Sequence, residues 1–203
     1  MVRKGPTTQL IPWLLGCTTG RLLLRFVTNN PFKVKEAQAI LAPSGFEVRA
    51  SPIKLEELQT EDAERLVKDK CLKAFDHIRH PLFVEHTGLY LKYLNDLPGG
   101  LTQIFWDRLR AERFAEIFGR TEDPTVIART IVGYVDGRKL FTFSGEVPGR
   151  ICCPPRGPQD FQWDCVFVPD GFDQTFAELG DRKNEISMRR RALDSFAKEL
   201  RRK

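Results

Sequence analysis

One short segment limits the fold more than any other. From Arg21 to Thr28, the side chains of Leu22, Leu23, Leu24, Phe26 and Val27 make a nearly continuous apolar run, the pattern of a strand covered on both faces. Asn29-Asn30-Pro31 follows at once. Asparagine caps helices well, and proline suits the first helical position because the N–H it lacks has no helical partner to lose. Val34, Ala37 and Leu41 then recur at helical spacing until Pro43 and Gly45 end the run. A buried strand feeding directly into a helix points to an α/β fold.

The remaining pattern fills out that fold. A second strand is expected at Phe46 to Ser51, and a second helix opens at Thr60 with Glu61, Asp62 and Glu64 in its acidic first turn. Ala63, Leu66, Val67, Cys71, Ala74, Phe75 and Ile78 form its apolar stripe. Pro81 begins a third strand through Leu82, Phe83 and Val84, which ends at Glu85 and His86. After Pro98-Gly99-Gly100 a third helix turns Ile104, Phe105, Leu109, Phe114 and Ile117 inward and stops at Gly119. Thr125 to Val135 and Arg138 to Val147 flank Asp136-Gly137, a strong hairpin signal. A proline- and glycine-rich loop leads to a strand near Cys165 to Val168, and a last helix buries Ile186, Leu193, Phe196, Ala197 and Leu200. The expected architecture is mixed α/β with an inserted antiparallel hairpin. Residues 21–203 read as one domain and residues 1–20 as an N-terminal extension.

Composition narrows the class of function. No stretch approaches the roughly 20 apolar residues that cross a bilayer, so no membrane span is expected. The net charge of +5 sits at the ends: four basic and no acidic residues precede position 26, and residues 182–203 carry nine basic against three acidic. That leaves the middle net acidic and weakens a nucleic-acid reading. Five cysteines are odd in number and lack CxxC pairs, and three histidines are scattered. Reduced thiols in the cytosol fit this better than disulfides or a zinc cage. Leu14-Leu15-Gly16-Cys17 resembles a lipoprotein cleavage site, but the apolar part is short and Pro12 interrupts it.

Several segments carry chemistry. Thr28-Asn29-Asn30-Pro31-Phe32-Lys33 joins a strand to a helix N-terminus, where free N–H groups and the helix dipole suit an anion. Lys33 in the first turn opposes the dipole unless an anion shares the site, although a lysine there also often points into water. Lys70 lies at the edge of its helix's apolar stripe and can bury its stem while its head reaches a cleft. In α/β folds ligands gather beyond the carboxyl ends of strands, which draws attention to Glu85 and His86 and to the nearby Glu56 and Glu57. Carboxylates facing a phosphate chain call for a divalent cation between them. Phe161-Gln162-Trp163-Asp164 offers aromatic faces and a carboxylate for a base edge, and Lys183 to Arg189 sets polar and basic groups at a helix start.

Taken in order, these segments resemble the inosine triphosphate pyrophosphatase family, which splits non-standard purine nucleoside triphosphates into monophosphate and pyrophosphate. The likeness runs from about Leu22 to Leu200. It rests on Thr28, Asn30 and Lys33 followed by Lys35-Glu36, on Val84-Glu85-His86-Thr87-Gly88-Leu89, and on Leu97-Pro98-Gly99. Ser144-Gly145-Glu146, Gly149-Arg150-Ile151, Gln159 to Asp164, Pro169-Asp170-Gly171 and Lys183-Asn184 with Ser187 and Arg189 complete it. The resemblance implies an elongated mixed central sheet flanked by helices, two lobes with a nucleotide cleft between them, and a homodimer. It assigns Thr28, Asn30, Lys33 and Lys70 to the phosphates and counts Asn29 and Thr87 among the nucleotide-binding residues. Phe161, Gln162, Trp163, Asp164, Lys183, Met188 and Arg189 fall on the base side. Glu57 and His86 would serve the metal, magnesium by resemblance, and Lys33 with Glu85 or His86 would serve catalysis.

Two departures from the family pattern matter. His86 stands where the family has an aspartate for metal and water; imidazole can act as base or ligand but suits manganese or cobalt better than magnesium. Met188 stands where the family has a histidine that reads the purine, so a hydrogen-bond donor is missing. The expected activity is metal-dependent hydrolysis of a purine nucleoside triphosphate with altered base choice. The alternative is a catalytically weak nucleotide-binding protein or sensor on the same fold.

Overall fold

The computed structural model describes residues 22–202; the extension expected at residues 1–20 lies outside the described residues. Strand β1 (Leu22–Phe26) and helix α1 (Pro31–Leu41) form where the local pattern puts them. Asn30 is extended, and its side-chain oxygen accepts the backbone N–H groups of Phe32 and Lys33. A short 3-10 turn at Ala42–Ser44 and Gly45, at φ 85°, end the helix and return the chain into β2 (Phe46–Ala50), parallel to β1. The next helix, α2 (Ala63–Ile78), starts later than expected because Asp62, not Thr60, supplies the cap by accepting from Glu64 and Arg65.

Strand β3 (Leu82–Leu91) does not end at Glu85 and His86. It continues because β5 (Thr125–Val135) pairs antiparallel with it along its whole length, from Leu82 opposite Val135 to Leu91 opposite Val126. β1 pairs only with Leu82 and Phe83 before peeling away. Glu85 and His86 therefore lie in mid-strand, and the crevice opens where β1 stops. Between β3 and β5 lie the two-residue β4 (Pro98–Gly99), paired with β3, and α3 (Thr102–Phe118).

The α3 expectation needs correction at one position. Arg110, at φ 58° and ψ 178°, breaks the helix, so a stripe read from 104 to 117 has no single phase. Phe114 is buried and Phe105, Leu109 and Ile117 are half-buried, but Ile104 is 43% exposed. Beyond β5, Asp136 accepts from the N–H groups of Arg138 and Lys139 and Gly137 takes φ 94°, so β6 (Leu140–Ile151) begins two residues late and runs past Val147. A 3-10 turn at Gln162–Cys165 pushes the last strand, β7, to Phe167–Pro169. Short helices α4 (Phe176–Leu179) and α5 (Lys183–Ile186) precede α6 (Met188–Leu200).

The seven-stranded sheet has the order β2-β1-β3-β5-β6-β7, with β4 beside β3. Helices α1 and α6 cover one face through Ala37, Ile40, Leu193 and Phe196 against Phe26, Phe83 and Tyr134. On the other face, α2 sets Val67 and Cys71 against Leu82, Val84 and Ile131. A third cluster, with Phe114, Trp163, Phe167 and Phe176, builds a second lobe around α3 and the far end of the hairpin. Two glycines let the flanking helices close in: a Cβ on Gly133 would stand 2.5 Å from Val67, and one on Gly145 2.2 Å from the Met188 carbonyl oxygen. Both helices carry site residues, Lys70 on α2 and Arg189 on α6. Among the described residues no helix is long and apolar enough to cross a membrane.

Candidate functional site

Residues 27–33 wrap around the carboxyl end of β1 and open on a cavity of about 630 Å³. Thr28, Asn29, Asn30 and Lys33 line one side, Glu57 and Lys70 another, and His86 and Thr87 come from β3. Gln103, Phe161 and Gln162 close the far side. The helix end is not the row of free donors expected, because Asn30 takes the N–H groups of both Phe32 and Lys33. An anion here must be held mainly by side-chain charge. The Thr28 hydroxyl accepts from the Asn30 N–H, and the Thr87 hydroxyl bonds Thr130 at 2.7 Å.

On the α1 and α6 face of β3, buried charges alternate in sign. Lys33 reaches Glu85 at 2.8 Å, and Glu85 also takes a bidentate grip from Arg189 at 2.5 and 3.1 Å. Arg189 bonds Glu36 as well; Glu36 meets Lys183 at 2.7 Å, and Lys183 meets Asp164 at 2.5 Å. Three cations and three carboxylates thus neutralise one another, with Glu85 and Arg189 the most deeply buried of the six. Burial alone would raise the Glu85 pKa, but Arg189 and then Lys33 overcome it and hold that carboxyl far below the usual range. Burial lowers the Lys33 pKa, with Glu85 opposing it. The cation in the first helical turn has found its anion within the protein.

On the α2 face the balance differs. Glu57 and Lys70 form an ion pair whose carboxylate is 38% exposed. Burial would raise the Glu57 pKa, and Lys70 reverses the shift. Beside them His86 is only 7% exposed, and its Nε2 has no hydrogen-bond partner. Burial, reinforced by the positive charge of Lys33, pushes its pKa down to about 4. The ring is neutral at ordinary pH, and its Nε2 is buried without a partner.

Among the described residues no group of three or more His, Cys, Asp or Glu is placed to hold a metal ion. A magnesium-type ion bound with a nucleotide needs only one or two protein carboxylates, since phosphate oxygens complete its shell. Glu57 fits that role from the cavity wall. Glu85, committed to Arg189 and Lys33, does not.

A second cavity of about 520 Å³ lies beside the first and is lined by Glu36, Asp164, Lys183 and Asn184, among others. Phe32 and Phe161 line both cavities and stack on each other, ring centres 5.2 Å apart. Phe161 also carries Lys183 Nζ 4.3 Å from its ring centre. Three residues expected to meet the base, Trp163, Met188 and Arg189, line neither cavity, and Arg189 is 2% exposed within the charge network. Trp163 is held in the 3-10 turn with its indole edge-on to Phe167, and Met188 is 1% exposed in the same core cluster. Both are apolar enough to be worth more to the second lobe's core than to a wet pocket.

Glu36, which joins the two base-side cations, was not among the expected site residues. Its signal was its position three residues after Lys33, on the same face of α1.

Comparison with known proteins gives the family and the fold. The Ham1 family model matches residues 24–199. The dITP/XTP pyrophosphatase of Methanopyrus kandleri is 36% identical over 174 residues, covering 85% of this chain and 93% of that protein. The enzyme of the same name from Thermococcus kodakarensis is 33% identical over 178 residues, covering 87% and 96%. Among solved structures, a HAM1 protein from Coxiella burnetii superposes with a TM-score of 0.76 at 21% identity, covering 90% of this chain and all of that one. The Staphylococcus aureus Ham1 protein gives 0.71, also at 21% identity, covering 88% and 98%. The structures establish the fold, the sequence matches establish kinship, and the chain belongs to the Ham1 family.

Proposed function

We propose that this protein hydrolyses a purine nucleoside triphosphate to the monophosphate and pyrophosphate. The observation that carries the reading is the His86 ring, which lines a cavity shared with Lys33, Lys70 and Glu57 and keeps its buried Nε2 without a partner. Relatives named dITP/XTP pyrophosphatases support it.

Water attacks the α-phosphorus, the new P–O bond forms as the bond to the β-phosphate oxygen breaks, and pyrophosphate leaves. His86 Nε2 takes the water proton; Glu85 does not, because a carboxylate gripped by Arg189 and Lys33 is a poor base. The charge of the bound triphosphate favours the protonated ring that results. Lys70 exchanges Glu57 for a phosphate oxygen, and Lys33 adds positive potential from the wall. A divalent cation held by Glu57 and phosphate oxygens would supply further charge neutralisation. With Nε2 engaged as the base, His86 is no longer a metal ligand, and magnesium suits the site as well as manganese or cobalt.

Phe161 stacks on the base, and Asp164 and Lys183 stand at its edge. Met188 offers no hydrogen bond, so six-oxo purines are favoured over adenine less than a donor at that position would allow. One hydrogen bond of this kind is worth about 1–3 kcal/mol. We place the working form as a homodimer in the cytosol, a state that analytical ultracentrifugation would check.

The test is steady-state turnover of inosine, xanthosine, guanosine and adenosine triphosphates with magnesium, manganese and cobalt, products read by ³¹P NMR. Pyrophosphate release from the six-oxo purines, with adenosine triphosphate within about a hundredfold, is expected. Orthophosphate as the only product would overturn the reaction assigned. Binding without turnover under every metal, with His86→Asp restoring magnesium-dependent turnover, would favour the weak-binding alternative. That alternative draws on the engagement of both Glu57 and Glu85 by cations.

A further inference from the structure

We propose that Phe32 is a second base-contacting side chain, and that the purine enters between the rings of Phe32 and Phe161. The inference rests on the nucleotide reading above and goes beyond it by naming a residue that no motif of the resemblance includes.

Phe32 is a large apolar side chain left 43% exposed on the first turn of α1. Its backbone N–H is tied to the Asn30 side chain, so the ring stands on a fixed helix end. Opposite it, Phe161 lies on an irregular stretch between two lobes, not in a helix or strand. The two rings are nearly parallel, with 20° between their planes. They border both cavities, the one holding Lys33 and Lys70 and the one holding Lys183 and Asp164. A nucleotide with its phosphates in the first and its base edge in the second has to pass this pair.

A flat heterocycle between two rings needs their centres about 7 Å apart. The present 5.2 Å therefore opens by about 2 Å, a change within reach of a side-chain or loop adjustment. The next residue gives Phe161 a joint to move on. Gln162 sits at φ 45°, a left-handed conformation uncommon outside glycine and asparagine, and its side-chain amide donates to Gln103 across the cleft. Free of ligand, the two aromatic faces cover each other; with ligand, both cover the base.

Stacking reads ring area and not the hydrogen-bonding edge, so this pair favours purines over pyrimidines while discriminating little among purines.

The experiment is equilibrium binding of inosine triphosphate and of inorganic tripolyphosphate, with a chelator present to stop turnover. It compares the full chain with Phe32→Ala, Phe32→Leu and Phe32→Tyr, each checked for an unchanged thermal transition. Phe32→Ala and Phe32→Leu are expected to weaken inosine triphosphate about tenfold and leave tripolyphosphate within twofold, and Phe32→Tyr to restore the difference. Equal effects on both ligands, no effect, or tighter binding in Phe32→Ala would overturn the role given to Phe32. Wild-type protein that binds tripolyphosphate as tightly as inosine triphosphate would instead sink the nucleotide reading itself.

Discussion

Glu85 and His86 are consecutive residues of β3, and strand geometry sends their side chains to opposite faces of the sheet. Both are buried. Glu85 is gripped by Arg189 and Lys33, and through Arg189 it joins Glu36, Lys183 and Asp164 in a chain of alternating charge. His86 keeps a ring nitrogen without a partner beside an ion pair that water can reach. Leaving a buried polar atom unsatisfied costs about 1–3 kcal/mol. A fold tolerates that where a ligand completes the bond, and a charge network that completes itself is framework. The contrast assigns chemistry to the α2 face and positioning to the α1 and α6 face.

The strongest way to break this comparison is to cut the closed network. Arg189→Met leaves two buried carboxylates without their guanidinium and should cost about 3–5 kcal/mol in urea unfolding. A loss under about 1 kcal/mol would mean that the network is not framework.

The next effect is on pH. The folded-state pKa of His86, pushed down to about 4, lies below the 6.5 of a free imidazole. Between those values the unfolded chain binds the proton that the folded chain refuses, so stability rises with pH in this window. The contribution is present in full above pH 6.5 and is lost as pH falls toward 4, on the order of 3 kcal/mol. Unfolding of wild type and His86→Leu from pH 4 to 8 would isolate it, since the variant should lack that part of the slope.

At pH 8 the same variant should be more stable by about 1 kcal/mol, because an apolar side chain removes the unsatisfied nitrogen, while turnover drops by about 10²–10⁴. Smallest of all is Lys70→Met, which breaks a partly solvated pair and should shift stability by less than about 1 kcal/mol. Its effect should appear instead as weaker triphosphate binding.

The sequence made the framework of this site legible where local rules decide. The β1 run, the Asn30 cap, the Pro31 start and the Asp136-Gly137 turn are set by neighbouring residues, and each formed in place. Lys33, Lys70, Glu57 and His86 were brought to one cavity as expected. What failed depends on distant partners. The length of β3 is set by β5, whose partner residues lie 35 to 53 positions further along the chain, and the break at Arg110 leaves no periodicity signal. Glu36, which follows Lys35 in the family likeness, takes its place in the network only because α6 brings Arg189 onto it. Trp163 matches the family motif and Met188 departs from it, and both side chains pack in the second lobe's core.

The most direct test follows the two neighbours together. Long-range ¹⁵N NMR of the His86 ring and the Arg189 Nε–H, recorded while inosine triphosphate is added, reports both faces of β3 in one titration. A large shift at His86 Nε2, with the Arg189 signal nearly unmoved, is the result predicted. Movement of Arg189 Nε–H with a silent His86 ring would contradict the account, because the Glu85 side of β3, and not the His86 side, would then answer the reacting phosphates.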